Sequence, residues 1–177
     1  MNQSIKDTFV FCPRCGTAAE SKGSNPFQCA ACNFRYFFGP RAAVGGILTD
    51  DEGRVLFLKR ARDPGRGKLG LPGGFVDVGE GAETALFREV LEETNLKVIR
   101  VSYIASFSNA YAYHGIVYPV TDVFFQCFVE SFEGLTTEPS EVEECFFRHP
   151  TPTELESMAF DSNRRAIERF MEMQKFV

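Results

Sequence analysis

The strongest constraint on the fold is the stretch from Gly73 to Leu96, which combines a glycine-rich turn with apolar residues at helical spacing. The apolar repeat predicts a helix from Ala82 to Thr94 with one apolar face. Asn95 follows the repeat and can end a helix in the left-handed conformation. The stretch therefore predicts a turn followed by an amphipathic helix.

Three carboxylates crowd the polar side of this predicted helix. Glu89, Glu92 and Glu93 stand at positions i, i+3 and i+4, so they share one face within a turn. A solvated acidic face is the plainer interpretation of three helical glutamates. The glycine turn lets a ligand approach the backbone, and Arg88 can hold a carboxylate by a bidentate pair. Both features favour a binding site, and clustered carboxylate oxygens are the ligands that Mg²⁺ or Mn²⁺ prefers.

The composition favours a folded protein with one main domain. The 177 residues suit one core domain plus a small appendage, and 44% of them are hydrophobic. The formal net charge of −5 argues against broad binding to nucleic acid, so a polyanionic substrate would need metal ions or local arginines. No apolar run approaches the roughly 20 residues of a membrane helix, and no signal peptide is evident, so we expect a cytoplasmic protein.

Four of the six cysteines form two Cys-x-x-Cys pairs, Cys12 with Cys15 and Cys29 with Cys32, separated by thirteen residues. This spacing is typical of a zinc ribbon, in which two knuckles point four thiolates at one ion. With four sulfur ligands no position remains for water, so the predicted Zn²⁺ is structural. Two unrelated pairs of buried cysteines, or a redox role for one pair, are the alternatives.

The pattern changes near Gly39 and Pro40, which predicts a ribbon over residues 1–39 and a main domain over residues 40–177. The first element expected after this boundary is a two-stranded hairpin with its turn at Asp50 to Gly53. A glycine- and proline-rich loop over residues 62–74 and a short strand or turn at Phe75 to Val78 should follow it. After the helix we expect three more strands and, from Thr153 onward, two helical segments. Cys127 and Cys145 fall in apolar strands and are expected to be inert core thiols.

The stretch from Gly74 to Leu96 resembles the Nudix box, whose pattern is Gly, five residues, Glu, seven residues and then Arg-Glu-apolar-x-Glu-Glu-x-Gly-apolar. The matching residues are Gly74, Glu80, Arg88, Glu89, Val90, Glu92, Glu93 and Leu96. Asn95 replaces the family's last Gly, and because Asn also caps helices in the left-handed conformation, we expect a small effect. The resemblance implies an α+β fold, a Nudix-type α/β/α sandwich with a mixed sheet, preceded by the small zinc ribbon.

The same resemblance implies a hydrolase that uses Mg²⁺ or Mn²⁺ to cleave the pyrophosphate of a nucleoside diphosphate linked to another group. It assigns the metal to three carboxylates and one backbone carbonyl, those of Glu89, Glu92, Glu93 and Gly73. Arg88 and Glu80 would form an ion pair that holds the helix and the turn in register.

In this family a later glutamate often helps to hold the metal or acts as general base. Residues 141–144 offer Glu141, Glu143 and Glu144, and the family's Glu-x-x-aromatic pattern favours Glu143. Each of the three can equally be a surface charge.

The order of a zinc ribbon before a Nudix box resembles that of NADH pyrophosphatases. Their Ser-Gln-Pro-Trp-Pro-Phe-Pro signature is missing, since the chain has no Trp. The layout, including Ser-Met-Ala-Phe at residues 157–160, is more similar to shorter zinc-ribbon Nudix proteins, some resembling FAD and ADP-ribose pyrophosphatases. The expected substrate is an ADP-containing dinucleotide or ADP-ribose, cut to AMP and a second phosphate ester. The alternatives are nucleoside triphosphates or capped RNA, or a non-catalytic nucleotide sensor.

Two groups of residues are candidates for substrate binding. Arg60, with Arg62, Arg66 and Lys68 in the loop before the box, can meet phosphates. Tyr111 and Tyr113, with His114 and Tyr118, are expected in a loop after the helix, where they can stack on a base or flavin. Solvated loop charges and structural aromatics are the alternatives. The family resemblance leaves a homodimer through the ribbon or the C-terminal helix as an open alternative to a monomer, whereas nucleic acid and membrane are not expected as partners.

Overall fold

The structure is a computed structural model that describes residues 2–175, and these fall into two compact units. The first unit comprises residues 2–41 and 110–119, and the second comprises residues 42–109 and 120–175. Residues 110–119 therefore belong with the cysteine-containing segment, whereas the predicted boundary between residues 39 and 40 stays a prediction.

The first unit consists of short elements around aromatic rings. Its elements are β1 (Gln3–Ser4), a 3-10 helix (Ile5–Thr8), β2 (Phe27–Gln28) and β3 (Arg35–Tyr36). β2 pairs with β3 in the antiparallel sense, and β1 runs parallel to residues 116–117. The Phe9 ring lies 5.6 Å from that of Phe27 and 4.7 Å from that of Phe38, in edge contacts that build a small core.

The larger elements follow in the order β4 (Arg41–Leu48), β5 (Val55–Arg60), β6 (Leu69–Gly70), α1 (Ala82–Thr94), β7 (Val98–Tyr113), β8 (Ile116–Val129), β9 (Val142–Arg148), α2 (Pro152–Glu156) and α3 (Asp161–Gln174). One sheet has the order β1-β8-β4, with β7 also paired to β8. A second sheet has the order β6-β5-β9. No helix within residues 2–175 has the length and apolar character needed to span a bilayer.

The second unit has an apolar cluster on each face of its strands. Leu56 and Leu58 of β5 pack in the cluster that contains α1, and Val55 and Phe57 pack in the cluster that contains α3. Successive side chains of a strand point to opposite faces, so the two helices cover opposite sides of β5. This arrangement confirms the α+β prediction of an α/β/α sandwich.

The predicted helix over residues 82–94 is confirmed, and Asn95 ends it with a φ of 57°. The predicted hairpin forms at its turn, where the Gly53 amide donates to Asp50 and Thr49 bridges Val55. Beyond the turn the prediction is wrong, because β4 and β5 belong to different sheets. β5 pairs instead with β9 and β6, whose positions far along the chain a local pattern does not encode.

The loop predicted around Tyr111 and Tyr113 is also wrong. Both residues lie in β7, Tyr118 lies in β8, and the two strands are joined by a turn at His114 and Gly115. His114 and Gly115 both have positive φ, which allows the chain to reverse in two residues. The alternation of aromatic and small residues before the turn is a strand pattern, so β7 continues further than the sequence analysis placed it.

Candidate active site and cysteine cluster

The glycine turn is held against β4 by the backbone. The Val44 amide donates to the Gly74 carbonyl and the Gly46 amide to the Pro72 carbonyl, both at 2.8 Å. Gly73 has a φ of 146°, and a Cβ there would collide with the Val44 carbonyl. Only glycine fits at this position, so the turn can present its backbone closely to helix α1.

Glu93 is the most buried carboxylate of the box. Its side chain lies on the inner side of α1, and the residue is 8% exposed. The Gly73 amide donates to Glu93 Oε2 at 2.8 Å, which links the turn to the helix. Burial raises the pKa of Glu93 to about 8, and the negative charges of Glu89 and Glu141 raise it as well. The hydrogen bond from Gly73 and the positive charge of Arg60 act in the opposite direction and lower the pKa.

Arg88 joins the other carboxylates of the box. Its Nε and Nη2 donate to the two oxygens of Glu80 at 3.1 and 2.9 Å, so these two side chains form a bidentate ion pair. Its Nη1 donates to Glu89 at 2.8 Å and to Glu92 at 3.2 Å. The hydrogen bonds to Glu80 and then Glu89 raise the pKa of Arg88 further, so the guanidinium is a permanent positive charge among three carboxylates.

The donor set of the box fits a hard divalent cation. Burial raises the pKa of Glu89 despite its bond to Arg88, and the nearby Glu92 and Glu141 charges add to the increase. Such carboxylates are costly to keep ionised unless a cation compensates them. Within residues 2–175 the box carboxylates do not all come within 4.8 Å of one another, since Arg88 and Gly73 hold them. Arg88 binds one oxygen of Glu89 and one of Glu92, which leaves the second oxygen of each carboxylate without a hydrogen bond to Arg88.

The structure separates the later glutamates that the sequence analysis considered together. Glu143 is exposed and accepts a hydrogen bond from Lys59 Nζ at 2.8 Å. Glu141 is partly buried, forms an ion pair with Arg62 at 2.8 Å, and is the later glutamate whose charge acts on both Glu89 and Glu93. The geometry thus favours Glu141 over the predicted Glu143 as the glutamate that belongs to this site.

The predicted substrate-binding residues lie in different units. Arg60 ends β5 in the same unit as the box, and its charge acts on Glu93. Tyr111 and Tyr113 lie in the first unit, with ring centroids 6.3 Å apart. The ring of Tyr113 also makes an edge contact with His114 at 4.2 Å. A role of the two tyrosines in substrate binding stays a prediction.

A methyl group at Gly74 should disturb Glu89. A Cβ built on Gly74 would occupy the space of the Glu89 carboxylate. We expect Gly74→Ala to lower kcat/KM for pyrophosphate hydrolysis about 10-fold or more, the usual effect of displacing groups that orient metal ligands. Gly39→Ala is the matched control, since nothing lies within 4 Å of its added Cβ. Unchanged kinetics of Gly74→Ala would mean that the observed position of Glu89 is irrelevant to catalysis.

The four cysteines of the first unit form a separate cluster. Their sulfur atoms all lie within 4.8 Å of one another, with Cys12 to Cys32 at 3.7 Å and Cys15 to Cys29 at 3.6 Å. A tetrahedral zinc with Zn–S bonds of about 2.3 Å places its sulfurs about 3.8 Å apart. The spacing of the thiols therefore fits the predicted four-cysteine zinc site.

The two cysteine pairs lie in knuckles of matching geometry. In each knuckle the residue after the second cysteine donates its amide to the carbonyl of the first, Gly16 to Cys12 and Asn33 to Cys29, both at 2.9 Å. Gly16 and Asn33 both have positive φ, which glycine and asparagine adopt most readily. The pairs are thus shaped as the ribbon interpretation requires, which counts against two unrelated pairs of buried cysteines.

Two features near the box had little local signal in the sequence: the placement of Glu141 and the contact of Phe160 with Arg60. Glu141 is found at the site because β9 pairs with β5, and its carbonyl accepts from the Ala61 amide just past the end of β5. Phe160, part of the noted Ser-Met-Ala-Phe stretch, contacts the guanidinium of Arg60. The Ser-Met-Ala-Phe stretch was the signal in the sequence that pointed to Phe160. The position of Glu141 depends instead on the long-range pairing of β5 with β9.

Comparison with known proteins identifies the class of protein that this fold and site define. The family profile described as NUDIX domain matches residues 39–170, and the chain belongs to the Nudix family. A solved NUDIX hydrolase from Nitrosomonas europaea is similar over 94% of this chain and 92% of its own, with 25% sequence identity and a TM-score of 0.64.

Two curated relatives are similar over shorter regions. The ADP-ribose pyrophosphatase of Methanocaldococcus jannaschii is 44% identical over 63 residues, which are 36% of this chain and 37% of that protein. The NAD-capped RNA hydrolase NudC of Photorhabdus laumondii is 35% identical over 100 residues, which are 54% of this chain and 37% of that protein. The chain thus spans little more than a third of the length of the curated relatives it matches.

Proposed function

We propose that this Nudix protein is a pyrophosphohydrolase that uses Mg²⁺ or Mn²⁺ to cleave an ADP-containing substrate of the ADP-ribose, FAD or NADH class to AMP and a second phosphate ester. The observation that carries this proposal is the buried Glu93 carboxylate, bound to the Gly73 amide and close to Glu89 and Glu141. Such a group of oxygen donors has little structural use without a cation.

In this proposal Glu89, Glu92 and Glu93 hold the divalent ions together with the Gly73 carbonyl. Bound divalent ions neutralise phosphate charge and make a water molecule a better nucleophile. The bidentate pair between Arg88 and Glu80 keeps α1 fixed to the turn, so that the carboxylates stay in register.

Glu141 completes the proposed site as a carboxylate that orients or deprotonates the attacking water. Its side chain is partly buried and its charge acts on Glu89 and Glu93, so Glu141 lies near the box carboxylates although it comes from a later part of the chain. Its ion pair with Arg62 at 2.8 Å restricts the directions that the Glu141 carboxylate can take.

We expect Glu141→Gln to lower kcat by about 10²-fold, the lower end of the usual contribution of a general base. Glu143→Gln is the matched control, because it makes the same chemical change two residues away. Glu143 is exposed and forms its ion pair with Lys59. Initial rates at saturating substrate distinguish the two variants. A large loss of kcat in Glu143→Gln together with a normal kcat in Glu141→Gln would favour Glu143, as the sequence pattern predicts, over Glu141.

Two observations support an ADP-containing substrate. One curated relative is named an ADP-ribose pyrophosphatase and another is named an NAD-capped RNA hydrolase, so both names specify an ADP-ribosyl or NAD group. Arg60, in the same unit as the box, supplies a guanidinium that matches phosphate oxygens. The second name also favours an alternative, hydrolysis of the NAD cap of RNA, which breaks the same kind of pyrophosphate bond.

A substrate panel tests the proposal. The purified protein is incubated with Mg²⁺ or Mn²⁺ and with ADP-ribose, FAD, NADH, NAD, diadenosine polyphosphates, nucleoside triphosphates and NAD-capped RNA, and the products are separated by chromatography. The proposal expects AMP from one of the dinucleotides at the highest kcat/KM. Preference for capped RNA would favour the alternative, and tight binding of a nucleotide without turnover would favour a sensor.

We also propose that the cysteine cluster holds one structural Zn²⁺. The support is the spacing of the four thiols and the matched geometry of the two knuckles. The Cys15 sulfur also lies 3.4 Å from the Thr17 hydroxyl, so this thiol has a polar partner within the same knuckle.

A further inference from the structure

Arg60 lies at an irregular point of its strand. Along the pairing of β5 with β9, Lys59 is opposite Glu144 whereas Arg60 is opposite Val142, so the register shifts by one residue between them. A shift of this kind re-aims the side chain at the end of a strand. The backbone of Arg60 also closes the next loop, since its amide donates to Lys68 at 3.0 Å and its carbonyl accepts from Gly67 at 2.8 Å.

The side chain of Arg60 is supported from two directions. Its Nε donates to the Pro64 carbonyl at 2.8 Å, and its guanidinium carbon lies 5.2 Å from the centre of the Phe160 ring. A guanidinium at this distance from an aromatic ring is attracted by the ring's electrons. The carbonyl and the ring together restrict the directions that the guanidinium can take.

Phe160 occupies a position where helices normally place a different kind of residue. It is the N-cap of α3, with extended backbone angles and no side-chain hydrogen bond to the helix. Ser, Thr, Asp and Asn are preferred there because their side chains bind the free amides of the first turn. The aromatic ring thus forgoes a capping interaction, and in this structure it contacts Arg60 instead.

The segment that carries Phe160 is fixed firmly beside β6. The Leu69 amide donates to Ser157 at 3.0 Å, and the Ala159 amide donates to the Leu69 carbonyl at 2.7 Å. A Cβ on Gly65 would lie 2.7 Å from the Cβ of Ala159, so the loop after Arg60 packs directly on this segment. These contacts fix the backbone next to Phe160 and so restrict where its ring can lie against Arg60.

We propose that Phe160 is a positioning residue, which holds the Arg60 guanidinium toward the phosphate groups of the substrate next to Glu93. The proposal rests on the proposed function. It assigns a role to the Ser-Met-Ala-Phe stretch, which takes no part in the pyrophosphate chemistry itself. Arg60 is the group that binds phosphate, and Phe160 acts through it.

A double-mutant cycle of Arg60→Gln and Phe160→Leu tests this coupling. Binding of the non-hydrolysable α,β-methylene analogue of ADP-ribose is measured by calorimetry with Mg²⁺ present, and KM and kcat are measured with the best substrate of the panel. We expect Arg60→Gln to weaken binding about 10-fold or more, as for the loss of a charged hydrogen bond. Phe160→Leu should weaken binding about 3- to 10-fold and raise KM by a similar factor, with a smaller effect on kcat.

The double variant should bind no more weakly than Arg60→Gln alone, because Phe160 has no separate effect once the guanidinium is gone. Phe160→Tyr should restore binding, since it keeps the aromatic ring. Phe107→Leu is the matched control. The guanidinium carbon of Arg165, an arginine of α3, lies 4.2 Å from the centre of the Phe107 ring, and this substitution removes that contact. That control should bind the analogue normally, although its thermal stability can fall.

Additive losses in the double variant, or loss of stability without loss of binding in Phe160→Leu, would overturn the positioning role alone. Absence of both turnover and analogue binding in the wild-type protein would overturn the proposed function together with this inference. Normal wild-type turnover with an additive cycle leaves the proposed function intact and removes only the inference.

Discussion

Glu93→Gln is expected to lower kcat for pyrophosphate hydrolysis by about 10³-fold or more. The substitution keeps the size of the side chain and an oxygen that can accept the Gly73 hydrogen bond, so the fold of the turn should be preserved. It removes the negative charge that the most buried carboxylate of the box would offer to a bound cation. Metal ions supply several kcal/mol of transition-state stabilisation, and about 1.4 kcal/mol corresponds to a factor of ten in rate.

Steady-state kinetics with the preferred substrate measure this effect, and titration with Mn²⁺ followed by electron paramagnetic resonance measures metal affinity. Glu83→Gln is the matched control, because Glu83 lies in the first turn of the same helix and is exposed. The control should keep both activity and affinity. If Glu93→Gln turned over substrate at the wild-type rate, the assignment of the metal to this carboxylate would be wrong.

The helix that bears these carboxylates could be predicted from the sequence because its signals are local. The apolar repeat, the glycine turn before it and Asn95 after it all lie within one short stretch, and the structure agrees with the predicted bounds of 82–94. Local signals of this kind determine a helix and its end before any tertiary contact is considered. The ion pair between Arg88 and Glu80 was implied by the resemblance to the Nudix box and not by these helix signals.

The remainder of the candidate site depends on which strands pair, and the sequence does not reveal this. The choice between Glu141 and Glu143 depends on the one-residue shift in the pairing of β5 with β9, which leaves Glu143 beside Lys59. Side chains alternate between faces along a strand, so a shift of one residue changes which glutamate turns to the site. Long-range pairing also explains why β4 and β5 separate after their turn.

Replacing a cysteine of the cluster should have the largest effect on the first unit. Cys29→Ser removes a buried thiol whose sulfur lies 3.6 Å from that of Cys15. Binding of structural zinc contributes on the order of 10 kcal/mol to the folding of small domains. We therefore expect the variant to lose its zinc and residues 2–41 to become sensitive to protease, since their core beyond the cysteines is a few aromatic rings.

Metal content by mass spectrometry and limited proteolysis measure these changes, with one zinc per chain expected in the wild-type protein. Cys145→Ser is the matched control, because Cys145 is a partly buried thiol of β9 outside the cluster. It should retain the zinc and the protease resistance of the first unit. A wild-type protein that resists protease without zinc, after treatment with a chelator under reducing conditions, would contradict the structural role. Because four thiols within 4.8 Å of one another can fill all four positions of a tetrahedral ion, zinc here should stabilise the fold rather than take part in hydrolysis.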